Sequence, residues 1–549
     1  MDNYIIGIYA VKDIGDNKYP IVSHDHNITV TKNGKVVFFV QTERITRKKY
    51  DNSLGKNIDK ILKDFNINLN NCNFVFVDNV LGRAFISDKG TIRFETDLSE
   101  KLTNGLEEGK LFLYGKHRKA YILNHELAHI YSNVPFFGNF KENSLLVHFD
   151  GGASKSNFSA WLFKNNKIKL LEHNWDLKQI SSFFNSNPVS FKTIGAKISD
   201  QNSAPGKIMG LAAFGSYNRK IKNWLIENNF FDDIWKNNQR FFDSVKQNFN
   251  IEIKNFDTKN KFLQDCLATM QQIFINKLIE KLKIIQQKYN IDNLYYSGGS
   301  ALNIVANTKI IESELFKQVF IPPVANDSGL SLGAAFALEL QNKNNIKEHT
   351  AFLNNLYLDN YKLNYTINDI RQTAEALLQN KIIGVINQTA EAGPRALGNR
   401  SIIALANSTK LAKKVSCDIK KREWYRPVAP IMLEKNTKYF TGKETINHLS
   451  KFMLLDFKIE KNKQKEIEGV VHVNGTSRIQ TIFSKSQNPF MFDLLDYLDT
   501  NHNIKALINT SFNKQGEPIV HTIEDAEKSA KSMNLNGLVI NGKYKDLKK

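Results

Sequence analysis

YIIGIYAV (Tyr4–Val11), followed after a polar loop by NITVTKNGKVVFFVQTE (Asn27–Glu43), reads as one buried strand and then a hairpin. Asn33-Gly34 separates two runs of alternating apolar residues. Asn-Gly is the strongest short hairpin signal, because a type I′ turn needs positive φ at both central residues. The pattern returns as SLLVHFDGG (Ser144–Gly152) and NFSAWLFKNNKIKLLEHN (Asn157–Asn174), with Asn165-Asn166 at the turn. Each unit is a buried strand, a polar loop carrying Asp or His, and a hairpin.

Duplicated units of this kind describe the two lobes of an actin-like (sugar-kinase- and Hsp70-like) α/β domain, with nucleotide bound in the cleft between them. Further on, Leu267, Met270, Phe274, Leu278, Leu282 and Ile285 fall on one stripe at helical spacing, which predicts a long amphipathic helix packed on the core. It leads into an apolar strand and a glycine turn at Gly298-Gly299. After Leu340 the composition turns polar, and KIIGVIN (Lys381–Asn387) opens a new strand. The expected organisation is an actin-like domain over residues 1–345, a linker over 346–365, and an α+β twisted-sheet domain over 366–549.

The 549-residue length fits this division, since single cores stop growing near about 250–300 residues. Hydrophobic content of 42% and charged content of 24% are those of an ordinary soluble protein. No apolar run reaches the roughly 18 residues of a membrane span. The N-terminus has no basic region ahead of its apolar run, and the three cysteines show no metal or redox spacing, so a reduced, cytoplasmic protein is expected. The formal charge of +20 attracts polyanions: nucleic acid or anionic small substrates.

His125-Glu126-Leu127-Ala128-His129 spells H-E-x-x-H, and histidines four apart share one helical face, where both can reach one ion. The continuation HIYSNVPFFGN lacks the further glycine and histidine of a metzincin, and Glu142, a distant third-ligand candidate, falls in a loop. A protease is therefore disfavoured. Asp150, ending a strand before Gly151-Gly152, and Asp327, before Ser328-Gly329, are better placed to hold a cation. Two imidazoles with two carboxylates suit Fe(II), Mn(II) or Zn(II).

Ten blocks in order then carry a resemblance. HDHNITVTKNGKVVFFVQTERITRKKYD, NHELAHIYS, VHFDGG, APGKIMGLAAFG, YYSGGSALNIVAN and FIPPVANDSGLSLGAA resemble the N-terminal domain of the O-carbamoyltransferases. EAGPRALGNRSIIA, IKKREWYRPVAPIM, GTSRIQTI and NTSFNKQGEPIV resemble their C-terminal domain. The resemblance implies that the C-terminal domain, similar to threonylcarbamoyl-adenylate synthases, makes carbamoyl-adenylate from carbamoyl phosphate and ATP, the latter as its Mg complex. The N-terminal domain, similar to tRNA threonylcarbamoyl-transfer enzymes, would then move the carbamoyl group to an acceptor hydroxyl. It also implies Fe(II), with Mn or Zn as alternatives, held by His125, His129, Asp150 and Asp327.

The remaining candidates follow from the chemistry of these substrates. Arg395, Lys420, Arg426 and Arg478 would grip phosphate groups, with Asn509, Ser511 and Asn513 completing the carbamoyl phosphate and ATP pocket. Arg400 or Arg422 is expected to serve as a structural salt-bridge partner. In the first domain Lys207 would neutralise the adenylate phosphate, Gly298 and Gly299 would admit the nucleotide to the backbone, and Asn303 would bond ribose or base. His24 is the candidate general base and Lys49 a binder of anionic oxygens. Two departures, HNIT after the first His-Asp and QTAEA before GPRALG, bear on acceptor choice and loop shape.

The acceptor is either a small molecule such as a sugar or antibiotic or, given the charge, a hydroxymethylated base in DNA. The alternatives are a tRNA-modifying carbamoyl-transfer enzyme and a non-enzymatic nucleotide-binding regulator.

Overall fold

A computed structural model describes residues 4–10, 23–65, 68–79, 82–97, 101–175 and 187–547; Val11, read above as part of the first strand, lies outside them. β1 (Tyr4–Tyr9), β2 (Asn27–Lys32) and β3 (Lys35–Gln41) are the strand and hairpin read from the sequence, each antiparallel to the next. Asn33 and Gly34 take φ of 50° and 74°, the values a type I′ turn demands. β4 (Cys72–Val77) adds parallel to β1. β5 (Phe85–Ile86), β6 (Ile92–Glu95), β7 (Glu107–Leu113) and β8 (Lys116–Leu123) follow, and β8 pairs parallel with β4. The strand order is β3-β2-β1-β4-β8-β7-β6-β5.

The second unit repeats the first. β9 (Ser144–Phe149), β10 (Phe158–Lys164) and β11 (Lys167–His173) turn at Asn165 and Asn166, with φ of 53° and 55°. β12 (Asn293–Ser297) and β13 (Gln318–Phe320) add in parallel, giving β11-β10-β9-β12-β13. The two series share strand order and pairing sense, which defines the two lobes of an actin-like fold. β1 and β9 are continuous apolar runs because both faces of each sheet are covered.

Close backbone approach sets the lobes together. Helix Leu330–Gln341 crosses β1 at Gly7, where a Cβ would overlap the carbonyl oxygen of Ser331. The same helix meets helix His125–Tyr131 at Gly333, where a Cβ would overlap the carbonyl of Ala128. The expected long helix spans Lys261–Tyr289 and buries the whole stripe from Leu267 to Ile285. With the shorter helices from Pro188 onward it builds a separate apolar cluster around Trp224, Phe231, Phe241 and Leu263.

The rest of the chain forms a mixed sheet from β14 (Ile383–Ile386), β15 (Arg400–Leu405), β16 (Ala429–Leu433), β19 (Gln480–Ile482), β20 (Leu507–Ser511), β21 (Gly537–Ile540) and β22 (Lys543–Asp546), with β17 (Phe457–Lys458) and β18 (Thr476–Ser477) paired apart. One apolar cluster runs from Leu145 and Leu294 of the second lobe to Ile403 and Leu507 of this sheet. A second tie is Tyr425, which leaves the sheet domain and joins the helical cluster. Burying such a side chain is worth about 1.5–3 kcal/mol.

The polar segment before β14 is strapped to an edge strand. Asn354 and Asn355 accept the N–H groups of Gln41 and Phe39, at 3.1 and 3.2 Å, which satisfies the open side of β3. Among the described residues no helix is long and apolar enough to cross a membrane.

Candidate active site

His125 and His129 stand on helix His125–Tyr131, whose start is fixed twice. Asn124 caps it by accepting the N–H of Leu127 at 2.8 Å, and Asp78, just past β4, accepts the N–H of His125 at 2.9 Å. The four-residue spacing turns both rings inward, with their Nε2 atoms 3.1 Å apart. Asp327 arrives on the turn that starts helix Leu330–Gln341, and its Oδ1 lies 3.5 Å from His125 Nε2 and 3.3 Å from His129 Nε2. Asp150 follows β9, with Oδ2 3.5 Å from His129 Nε2. The Gly299 N–H donates to that oxygen at 2.5 Å, and Gly298, at φ 97°, makes this approach by lying against the Phe149 backbone.

These distances suit a divalent ion. With bonds of about 2.0–2.2 Å, neighbouring ligand atoms of a tetrahedral ion lie about 3.4 Å apart. His125, His129 and Asp327 lie 3.1 to 3.5 Å from one another, and Asp150 comes within 3.5 Å of His129 but is not grouped with the other two. Burial alone would push the Asp327 carboxyl up, but the charges of His125 and His24 and hydrogen bonds from His125 and His129 hold it well below the usual range. Tyr9 O–H adds a further bond to its Oδ2 at 2.9 Å. The chemistry of this donor set, two nitrogens and two carboxylates in a buried pocket, fits Fe(II), Mn(II) or Zn(II).

The glutamate of H-E-x-x-H does not join them. Glu126 Oε1 accepts the N–H groups of Lys155 and Ser156, at 2.8 and 3.0 Å, so it anchors the loop after Asp150. Glu142 is likewise spent, accepting the N–H groups of Asn165 and Asn166 at the β10–β11 turn. Glu126 is thus turned away from the general-base role of a zinc protease, and Glu142 from the third-ligand role.

His24 lies beside the cluster, its Nε2 3.9 Å from Asp327 Oδ2. Its Nδ1 is 3.0 Å from Asp25 Oδ2, and a carboxylate can only accept, so Nδ1 carries the proton. Burial disfavours its charged form, but Asp327 and Asp25 outweigh that and raise its pKa to about 9. Asp25 was not singled out from the sequence; an Asp directly following a His gives no sign that it turns back onto the ring.

The second set of candidates forms a chamber rich in cations, where Glu423 pairs with Arg426 at 3.3 Å. Arg395 stands in the loop between β14 and β15, Lys420, Arg422 and Arg426 in the loop before β16, and Arg478 between β18 and β19. Burial and the neighbouring guanidinium groups lower the pKa of Arg395 to about 10 and of Arg422 to about 9. Arg478 is lowered further by burial, Arg395 and Arg426. The Nε atoms of Arg395 and Arg478 are buried without a hydrogen-bond partner. Lys420 is held under β20, its Nζ donating to the carbonyls of Ser511 and Asn513 at 2.5 Å and to Asn513 Oδ1 at 2.7 Å. Asn509 donates to Ala396 O and Gln480 Oε1, and its own Oδ1 is buried without a partner.

Two expectations need correction here. Arg422 lines the chamber with the other arginines and forms no ion pair among the described residues. Arg400 is structural, but through carbonyl groups: its guanidinium donates to the backbone of His521, Asn387, Asn399 and Gln388 at 2.7–3.0 Å. Spacing along a chain marks an arginine as present and says nothing of which acceptors will surround it.

Both sets open into one cavity of about 790 Å³. Its walls include His24, Lys49, His125, Asp150, Lys207, Gly299, Asn303 and Asp327 from the first domain, and Arg395, Lys420, Arg422, Arg426, Arg478, Asn509, Ser511 and Asn513 from the second. His129 and Gly298 are not on that wall. Lys207 reaches across the cavity to Glu423 Oε1 at 2.7 Å. Asn303 has its amide committed, capping helix Ile304–Glu312 and bonding Gln271. Gln41, Glu43 and Tyr50 also line the space and were not anticipated.

The cleft of the two-lobed fold thus joins the histidine–aspartate cluster to the arginine-lined chamber in one space. The carbamoyltransferase N-terminus family model matches residues 18–336 and the carbamoyltransferase C-terminus model residues 374–545. The chain belongs to the carbamoyltransferase family, and it is a transferase. Among similar proteins, "Uncharacterized protein MJ1051" of Methanocaldococcus jannaschii is 28% identical, covering 95% of this chain and 97% of the relative. Nodulation protein NolNO of Sinorhizobium fredii is 25% identical over 95% of this chain and 78% of its own length. Nodulation protein U of Azorhizobium caulinodans is 25% identical over 79% of each.

Proposed function

We propose that this chain is an ATP-dependent O-carbamoyltransferase that activates and transfers the carbamoyl group within one cavity. The observation that carries this reading is the shared space of about 790 Å³, into which both the histidine–aspartate cluster and the arginine chamber open. A pocket of this size falls in the range of about 300–1,000 Å³ used for small-molecule ligands.

The arginine chamber is assigned the activation step. Crowded guanidinium groups repel one another until an anion enters, so carbamoyl phosphate and the ATP phosphates, bound with Mg, are the natural ligands for Arg395, Arg422, Arg426 and Arg478. Water releases carbamate and phosphate from carbamoyl phosphate; a carbamate oxygen then attacks the ATP α-phosphorus, expelling pyrophosphate and leaving carbamoyl-adenylate. Lys420, Ser511 and Asn513 form the hydrogen-bonded floor of this pocket, and Asn509 offers it an acceptor oxygen. Lys49 and Lys207 face the path of the adenylate phosphate toward the first domain.

Transfer is assigned to the first domain. His125, His129, Asp150 and Asp327 would hold Fe(II), or Mn(II) or Zn(II), which when bound supplies Lewis-acid polarisation of the transferring group. His24, in the neutral form that a cation held by Asp327 would favour, takes the proton of the acceptor hydroxyl as it attacks the carbamoyl carbon and AMP departs. Asp25 orients the ring so that Nε2 faces the cavity, as the acid of a catalytic dyad does. Gly298 and Gly299 leave the backbone open to the nucleotide, and Asn303 lines its exit from the chamber. The setting is cytoplasmic, in keeping with three unpaired cysteines.

The acceptor is a hydroxyl-bearing molecule. Incubating the protein with carbamoyl phosphate, ATP and pools of small sugars, hydroxymethylated DNA or tRNA should add one carbamoyl group to one of them, read by mass spectrometry. DNA as acceptor predicts retention on duplex DNA that falls steeply with salt. Failure to consume ATP in the presence of carbamoyl phosphate would contradict the reading.

A further inference from the structure

We propose that His148 supplies a third imidazole to the cation held by His125, His129, Asp150 and Asp327. This rests on the cation site proposed above and adds a donor to it. His148 lies two residues before Asp150, and residues two apart in extended chain face the same side. Both therefore meet the end of β9 on the side where His129 descends.

The ring is wholly buried, 5.1 Å from that of His129 between centroids and inclined to it by 24°. His129, His148 and Asp150 each offer a donor atom within 4.8 Å of the others, as do His125, His129 and Asp327. The two sets share His129, whose Nε2 lies 3.3 Å from Asp327 Oδ1 and 3.5 Å from Asp150 Oδ2, so a single cation at that nitrogen would draw on both. Ligand atoms opposite one another across an ion lie about 4.2 Å apart, so binding requires the two sets to draw together around the ion.

The state of its two nitrogens favours a ligand role. Nδ1 lies 3.3 Å from Ser159 Oγ on β10, which fixes one side of the ring. Nε2 is buried with no hydrogen-bond partner, a placement that leaves a polar atom desolvated unless something else occupies its lone pair. A hydrogen bond at the first nitrogen and a metal at the second is the usual division in histidine ligands. A third nitrogen would move the site's preference toward Fe(II), Co(II) or Zn(II) and away from Mg(II) or Mn(II).

The test uses the full-length protein and zinc alone. X-ray absorption at the zinc edge of the loaded wild type should count three imidazoles, and His148→Ala should weaken zinc binding by on the order of 10–100-fold with circular dichroism unchanged. A count of two, or zinc binding by His148→Ala as tight as the wild type, overturns the proposal. If His148→Ala does not fold, the absorption count on the wild type decides alone. His125→Ala separates the two levels of the argument. Zinc lost in His125→Ala but kept in His148→Ala leaves the cation site standing and removes only the third imidazole, whereas zinc kept in both removes the site itself.

Discussion

Glu126 stands between two inward-facing histidines, yet its carboxylate turns away to hold the Lys155 and Ser156 N–H groups. Glu126→Gln keeps an acceptor oxygen, so it should cost only about 1 kcal/mol in thermal unfolding. Bound metal, measured by elemental analysis, should be unchanged; loss of the metal would contradict the assignment. His24 gives a pH prediction for the metal-free protein. Its folded pKa, about 9, lies above the ordinary value of 6.5, so its stabilising contribution is complete below pH 6.5 and disappears as pH rises through 9. Thermal melts across that window should fall for the wild type relative to His24→Ala, and the gap should close at the alkaline end. At this scale the candidate cation ligands were legible in the sequence. Histidines four apart and acids at strand-to-glycine turns have a direction set by local geometry. Asp25 and Arg422 were misjudged or overlooked because the direction of a long or loop-borne side chain depends on distant elements.

At the level of elements, the turns at Asn33-Gly34 and Asn165-Asn166 were legible because positive φ selects a narrow set of residues. The stripe from Leu267 to Ile285 was legible because its period is helical. The extension β5 to β8 was not read, since β5 and β6 are two and four residues long and β7 and β8 open on the charged runs Glu107-Glu108 and Lys116–Lys119. Nor does any local pattern announce that Tyr425 plugs the helical cluster of the other domain. The contact between helix Leu330–Gln341 and helix His125–Tyr131 joins Asp327 to the histidine pair. Gly333→Ala would place a methyl group against the Ala128 carbonyl and prise the two helices apart. Overpacking of this kind costs about 1–3 kcal/mol. The variant should melt lower and bind zinc more weakly than the wild type, in a titration followed by calorimetry. Undiminished zinc affinity would show that the helix contact does not set the ligand geometry.

Over the whole molecule, the arginine chamber is a store of repulsion that an anion relieves. Without ligand, Arg422→Ala should melt no lower than the wild type, because removing one cation eases its neighbours. With ATP at about 100 times its Kd, the wild type should gain about 2.7 kcal/mol. The variant should gain much less at the same concentration, and an equal gain would exclude Arg422 from the phosphate pocket. The separation of the two chemistries between domains, joined by one cavity, is the claim on which the functional account stands. Its most direct test is carbamoyl-phosphate-dependent exchange of labelled pyrophosphate into ATP by the His125→Ala/His129→Ala protein. The account predicts exchange near the wild-type rate with no carbamoyl transfer to any acceptor; loss of exchange in a protein that remains folded would contradict it.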